Sequence, residues 1–94
     1  MRVIFAPEAE ADLRELLDYV AARNPYAAVG LDERIFEIIE RLAARELEGP
    51  EQRLRNGQIV KSWLVPPVRI YYQRTLDVLE IVRVYHQSRR PITR

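Results

Sequence analysis

His86 is the one histidine in this sequence and follows Arg83 and Tyr85 at the end of a long apolar run. An imidazole is the only side chain that titrates near neutral pH, which makes His86 the obvious candidate for proton-transfer chemistry. His86 nevertheless falls on the same strand face as Val82 and Val84, the face expected against helices, where a hydrogen-bonded structural histidine is the plainer reading. Arg83 is more suggestive. It breaks the apolar alternation on the opposite face, beside Ile81 and Tyr85, and a buried guanidinium needs a carboxylate, a phosphate or backbone carbonyls. Arg69 lies one hairpin away, and cross-strand geometry predicts that Arg69, Arg83 and Lys61 converge on one basic surface. The alternative is a ladder of charges facing water.

Other chemistries are excluded by composition. Three glycines, at positions 30, 49 and 57, make neither a phosphate-cradling loop nor a dinucleotide fingerprint. With no cysteine and one histidine, only carboxylates remain as metal ligands, and these sit on helix faces at spacings that solvation explains. No metal site and no cofactor are expected. No serine occupies a nucleophile elbow. The absence of cysteine makes a cytoplasmic protein the default, and no apolar run approaches the ~20 residues of a membrane span. Strand-like sequence begins at once with Arg2-Val3-Ile4-Phe5, so no signal peptide is expected.

The candidate residues sit on a β-hairpin from Val68 to Arg90 whose second strand is the longest apolar segment. Val78, Leu79, Ile81, Val82, Val84 and Tyr85 suit a strand buried on both faces, inside a sheet rather than at its rim. A period of two places Val78, Glu80, Val82, Val84 and His86 on one face and Leu79, Ile81, Arg83 and Tyr85 on the other. Helices can cover only one face, so the second is expected to remain partly bare, to wrap on itself or to meet a partner.

Those helices come earlier. Val3 to Phe5 form a short strand, and Pro7 with the nearby acids opens a helix whose stripe is Ala9, Leu13, Leu16, Leu17 and Val20. Asn24-Pro25 ends it and starts a second helix with Ala27, Leu31, Ile35, Ile38, Ile39 and Leu42 as its stripe. The short joint predicts an antiparallel helical hairpin, with Gly30 marking a close approach. The second helix is expected to stop near Leu47-Glu48-Gly49-Pro50. Asn56-Gly57 marks a tight turn, ideally type I′ with both central residues at positive φ, before a strand from Ile59 to Val65. Pro66-Pro67 connects to the hairpin. The whole, residues 1–94, reads as a single α+β domain, β-α-α-β-β-β, with the helical hairpin on one face of a mostly antiparallel sheet.

Charge is unevenly placed. Residues 1–52 hold six arginines against twelve acids, whereas residues 53–94 hold nine cations against Asp77 and Glu80. A basic sheet-bearing half suggests an anionic partner, nucleic acid or an acidic protein segment, unless the two halves neutralise each other through surface pairs.

The helix from Ala9 to Val20 (AEADLRELLDYV), the strand Arg69-Ile70-Tyr71-Tyr72 and the ending Ile81 to Arg89 (IVRVYHQSR) together resemble the RelE/ParE superfamily of toxins from bacterial type II toxin-antitoxin modules, over nearly the whole chain. The ending is more similar to the ParE branch. The resemblance implies a cytoplasmic toxin neutralised by a cognate antitoxin, ParD-like or RelB-like, that wraps around it and makes the main contact with DNA. Lys61, Trp63, Arg69, Tyr71, Leu79, Ile81, Arg83 and Tyr85 would be its contacts. A ParE-like member inhibits DNA gyrase and is not itself an established enzyme. Arg83, Arg89, Arg90 and Arg94 would then meet the target. A RelE-like member cuts messenger RNA on the ribosome, which would give phosphate-binding roles to Lys61, Arg69 and Arg83 and place Tyr85 or His86 near the scissile ribose. The single lysine and the lack of a terminal helical extension depart from that pattern. A third expectation is a non-toxic binding module that keeps the fold.

Overall fold

The structure, a computed structural model, describes residues 1–87. In chain order the elements are β1 (Arg2–Phe5), α1 (Pro7–Arg23), α2 (Pro25–Ala43), β2 (Glu51–Arg53), β3 (Ile59–Val65), β4 (Val68–Arg74) and β5 (Val78–His86). They form two helices on a five-stranded mixed sheet, an α+β arrangement with strand order β1-β5-β4-β3-β2. β5 lies inside the sheet, parallel to β1 and antiparallel to β4. The expected element order holds with one strand added. Glu51-Gln52-Arg53 has no β-branched or aromatic residue to announce a strand, and only its antiparallel pairing with Lys61, Val60 and Ile59 makes it one.

Local chemistry sets the helix ends. Pro7 occupies the first turn of α1, and Ala6 supplies no side-chain cap. Asn24 closes α1 and opens α2: its side-chain oxygen accepts the N–H groups of Tyr26 and Ala27, each at 3.1 Å. α2 ends at Ala43, short of the expected Leu47–Pro50 stop. Arg45 takes the left-handed conformation (φ 63°), its N–H bonds the carbonyl of Leu42, and the N–H of Glu46 bonds that of Arg41, a Schellman ending. The α1 stripe is as expected, with Leu17 and Val20 at its margin. In α2 the buried alanine is Ala28 rather than Ala27.

Two glycines play roles other than those expected. Gly30 marks no helix contact, since a Cβ there would meet only the guanidinium of Arg34 at 3.5 Å. Gly49 is the close approach: a Cβ on it would lie 1.7 Å from the backbone oxygen of Ser62. The Gly49 N–H also donates to the buried Tyr72 hydroxyl at 2.9 Å, fixing the segment after α2 against the sheet. The turn from β2 to β3 is not type I′. Gly57 alone has positive φ, and its N–H bonds the Leu54 carbonyl at 2.9 Å.

Beneath the helices, Leu13, Leu16, Leu31, Ile35, Ile39 and Leu42 pack on Val65, Val68, Ile70, Tyr72, Leu79, Ile81 and Val84. Leu79 and Ile81 therefore belong to the helix-covered face, the reverse of the period-two assignment. Tyr72 pairs with Ile81 and Tyr71 with Arg83, so Val82 is an additional residue on β5, a β-bulge. Up to Ile81 the odd-numbered residues face the helices; beyond the bulge Val84 does, with His86 in phase. Val82, Arg83 and Tyr85 are left on the far face.

Candidate functional site

Far from the helices, Leu54, Val60 and Tyr71 are buried together, with Val82 and Tyr85 half-buried against them. Leu54 reaches this face from the turn that Gly57 closes. Tyr71 and Tyr85 meet edge to face, ring centroids 6.4 Å apart at 85°. Burial raises the pKa of Tyr71 above its ordinary 10.0, partly offset by the charge of Arg69. Arg69 donates to the fully buried Ser62 hydroxyl at 3.1 Å. The exposed Leu64 sits across the ladder from Arg69. Beside the cluster lies a cavity of about 270 Å³, lined by Glu8, Leu54, Asn56, Glu80, Val82 and Arg83. This face presents aromatic and aliphatic surface with Arg69 and Arg83 beside it, a chemistry suited to clasping an amphipathic peptide segment.

Arg83 is held by a residue that sequence reasoning missed. β1 ends at Phe5, opposite Ile81, so the later part of β5 has a strand neighbour only on its β4 side. Asp12 of α1 takes the place of β1 there, accepting the Val84 N–H at 3.1 Å. The same carboxylate forks the guanidinium of Arg83, Nε at 2.7 Å and Nη2 at 3.0 Å. This hydrogen bond is the chief cause that raises the pKa of Arg83, against the opposing effect of burial. The guanidinium also lies 4.8 Å from the Tyr85 ring centroid. The bulge re-aims Arg83 toward the edge of the sheet, so it serves first as a bolt between α1 and β5.

The three cations expected to converge do not. Lys61 pairs across the sheet with Tyr72, on the helix side, and its ammonium binds Glu48. Glu48 also binds Arg74, whose guanidinium donates to the Leu42 carbonyl at 2.6 Å. Burial, reinforced by nearby Arg45, lowers the pKa of Arg74. Across β4 and β5, Arg69 pairs with Tyr85 and Tyr71 with Arg83, so these four candidates do lie together. His86 pairs with Val68 instead, in phase with the helix side, and is half-buried. Trp63 packs against the helix-side core, and Leu79 and Ile81 are sealed within it, so those two cannot touch a partner. Arg89, Arg90 and Arg94 lie outside the described residues. Part of the sequence's charge asymmetry is internal: Asp12 and Glu48 of the acidic half neutralise Arg83, Lys61 and Arg74 of the basic half.

The family model of the ParE toxin of the type II toxin-antitoxin system parDE matches residues 3–91. The chain belongs to the ParE toxin family. A solved chain of the chromosomal ParDE TA system from P. aeruginosa is similar in fold, with a TM-score of 0.73 at 19% identity, covering 92% of this chain and 95% of that one. No curated protein gives a significant match. As a ParE toxin the chain has an antitoxin as its partner. Among the described residues, no helix is long and apolar enough to cross a membrane.

Proposed function

We propose that this ParE toxin acts in the cytoplasm by binding and poisoning DNA gyrase, and that its antitoxin silences it by covering the far face of the sheet. The observation that carries the target is the family match over residues 3–91. Support for the antitoxin face comes from the chain itself. Val82 and Tyr85 remain half-exposed there, whereas the helix face is filled by the chain's own side chains. The antitoxin would lay an amphipathic segment across Val82 and Tyr85 and place an acid near Arg69. Target binding by Arg89, Arg90 and Arg94 stays within the proposal.

Purified toxin added to gyrase is expected to abolish supercoiling and trap cleaved DNA, and pre-mixing with antitoxin should restore turnover. Undiminished supercoiling in the presence of excess folded toxin would refute the target.

A further inference from the structure

The outer face of α2 is unlike any other exposed surface among the described residues. At 100° per residue, Tyr26, Val29, Glu33, Phe36, Glu37 and Glu40 fall within about 100° of the helix circumference, well away from the buried stripe. Three are large apolar side chains left in solvent: Tyr26 is 89% exposed, Val29 58% and Phe36 41%. Phe36 packs against Phe5 from below, ring centroids 5.9 Å apart, and leaves its outer part in solvent. Glu33, Glu37 and Glu40 stand exposed among them, with Asp32 on one flank and Arg34 and Arg41 outside the arc on the other. None of these four acids forms an ion pair among the described residues, whereas Asp12 and Glu48 elsewhere are fully engaged.

An exposed aliphatic and aromatic stripe edged by uncompensated carboxylates is complementary to an amphipathic helix with basic margins. A second copy of this chain is a poor occupant, because antiparallel pairing of two α2 helices would set these acids against one another. The surface also lies on the opposite side of the molecule from the Tyr71 and Tyr85 cluster, since α2 packs on the other face of the sheet.

We infer that the outer face of α2 is where the toxin docks on its target, receiving a basic amphipathic helix of that protein between Val29 and Phe36. This rests on the gyrase reading, so purified DNA gyrase is the probe. In the full-length toxin, the triple change Glu33→Lys, Glu37→Lys and Glu40→Lys alters only exposed positions. It should weaken gyrase binding at least tenfold while leaving antitoxin binding and the circular dichroism spectrum unchanged. Val29→Ser, also exposed, should weaken it severalfold in the same way. Rising salt should weaken wild-type binding and lose that effect in the triple variant. Equal gyrase binding by wild type and variants would overturn the α2 surface and leave the gyrase reading standing. Loss of antitoxin binding, or of wild-type self-association, would overturn it in favour of those occupants. No binding by the wild-type chain would remove the gyrase reading and this surface with it.

Discussion

The two faces of the sheet are made by neighbouring residues of the same strands but are completed by different means. Under the helices, Ile70, Tyr72, Leu79 and Ile81 are fully buried by side chains of α1 and α2. On the far face, Tyr71 and Val60 are buried mainly by one another and by Leu54 from a turn, while Tyr85 and Val82 keep part of their surface in water. The first face supplies cohesion, since full burial of such side chains contributes about 1.5–3 kcal/mol each. The second supplies less stability and more unsatisfied apolar area, the condition for binding a partner. If the far face is where the antitoxin lies, as proposed, stability and recognition are divided between the two faces of one sheet, and the bulge at Val82 sets which β5 residues fall on each face.

Leu79→Ala is the strongest way to test that separation. It should cost about 2–5 kcal/mol of unfolding free energy, measured by urea denaturation, because it opens a cavity between sheet and helices. Antitoxin affinity per folded molecule should hardly change; a large loss of affinity without loss of stability would place Leu79 on the wrong face. Next comes the bolt at the sheet edge. Asp12→Ala leaves the Val84 N–H and a partly buried guanidinium without their carboxylate, and about 2–3 kcal/mol of stability should be lost. In the double variant with Arg83→Ala the loss should be smaller than the sum of the two single losses, which a double-mutant cycle measures. Additive losses would mean that the pair is not coupled. The smallest effect on folding is expected at Tyr85→Ala. It should cost about 1 kcal/mol of stability, yet weaken antitoxin binding by about 2 kcal/mol in calorimetry, the behaviour of a half-buried aromatic at an interface centre. Unchanged antitoxin affinity would move the antitoxin off this face.

Most of the architecture was legible because it is written locally. Pro7, the Asn24-Pro25 joint, Pro66-Pro67 and the stripes of α1 and α2 each act within a few residues, and they specify both helices and the last three strands. β2 was not legible, since its three polar residues become a strand only by lying beside β3. The candidate site was legible in part. Arg69, Tyr71 and Tyr85, named as antitoxin contacts through the family resemblance, sit together on the far face, whereas Lys61 faces the other way and Leu79 and Ile81 lie in the core.

By itself the sequence determined the inventory: two amphipathic helices, a long apolar final strand, one histidine and no cysteine. Only the tertiary structure decided the facing of that strand, because a bulge is a property of two strands in register and leaves no mark in the periodicity of one. It also decided the work of Arg83, whose carboxylate lies 71 positions earlier in the chain. Side-chain alternation reports a strand's own geometry, but the ends of its neighbours determine which of its hydrogen-bonding groups are left for a side chain to satisfy.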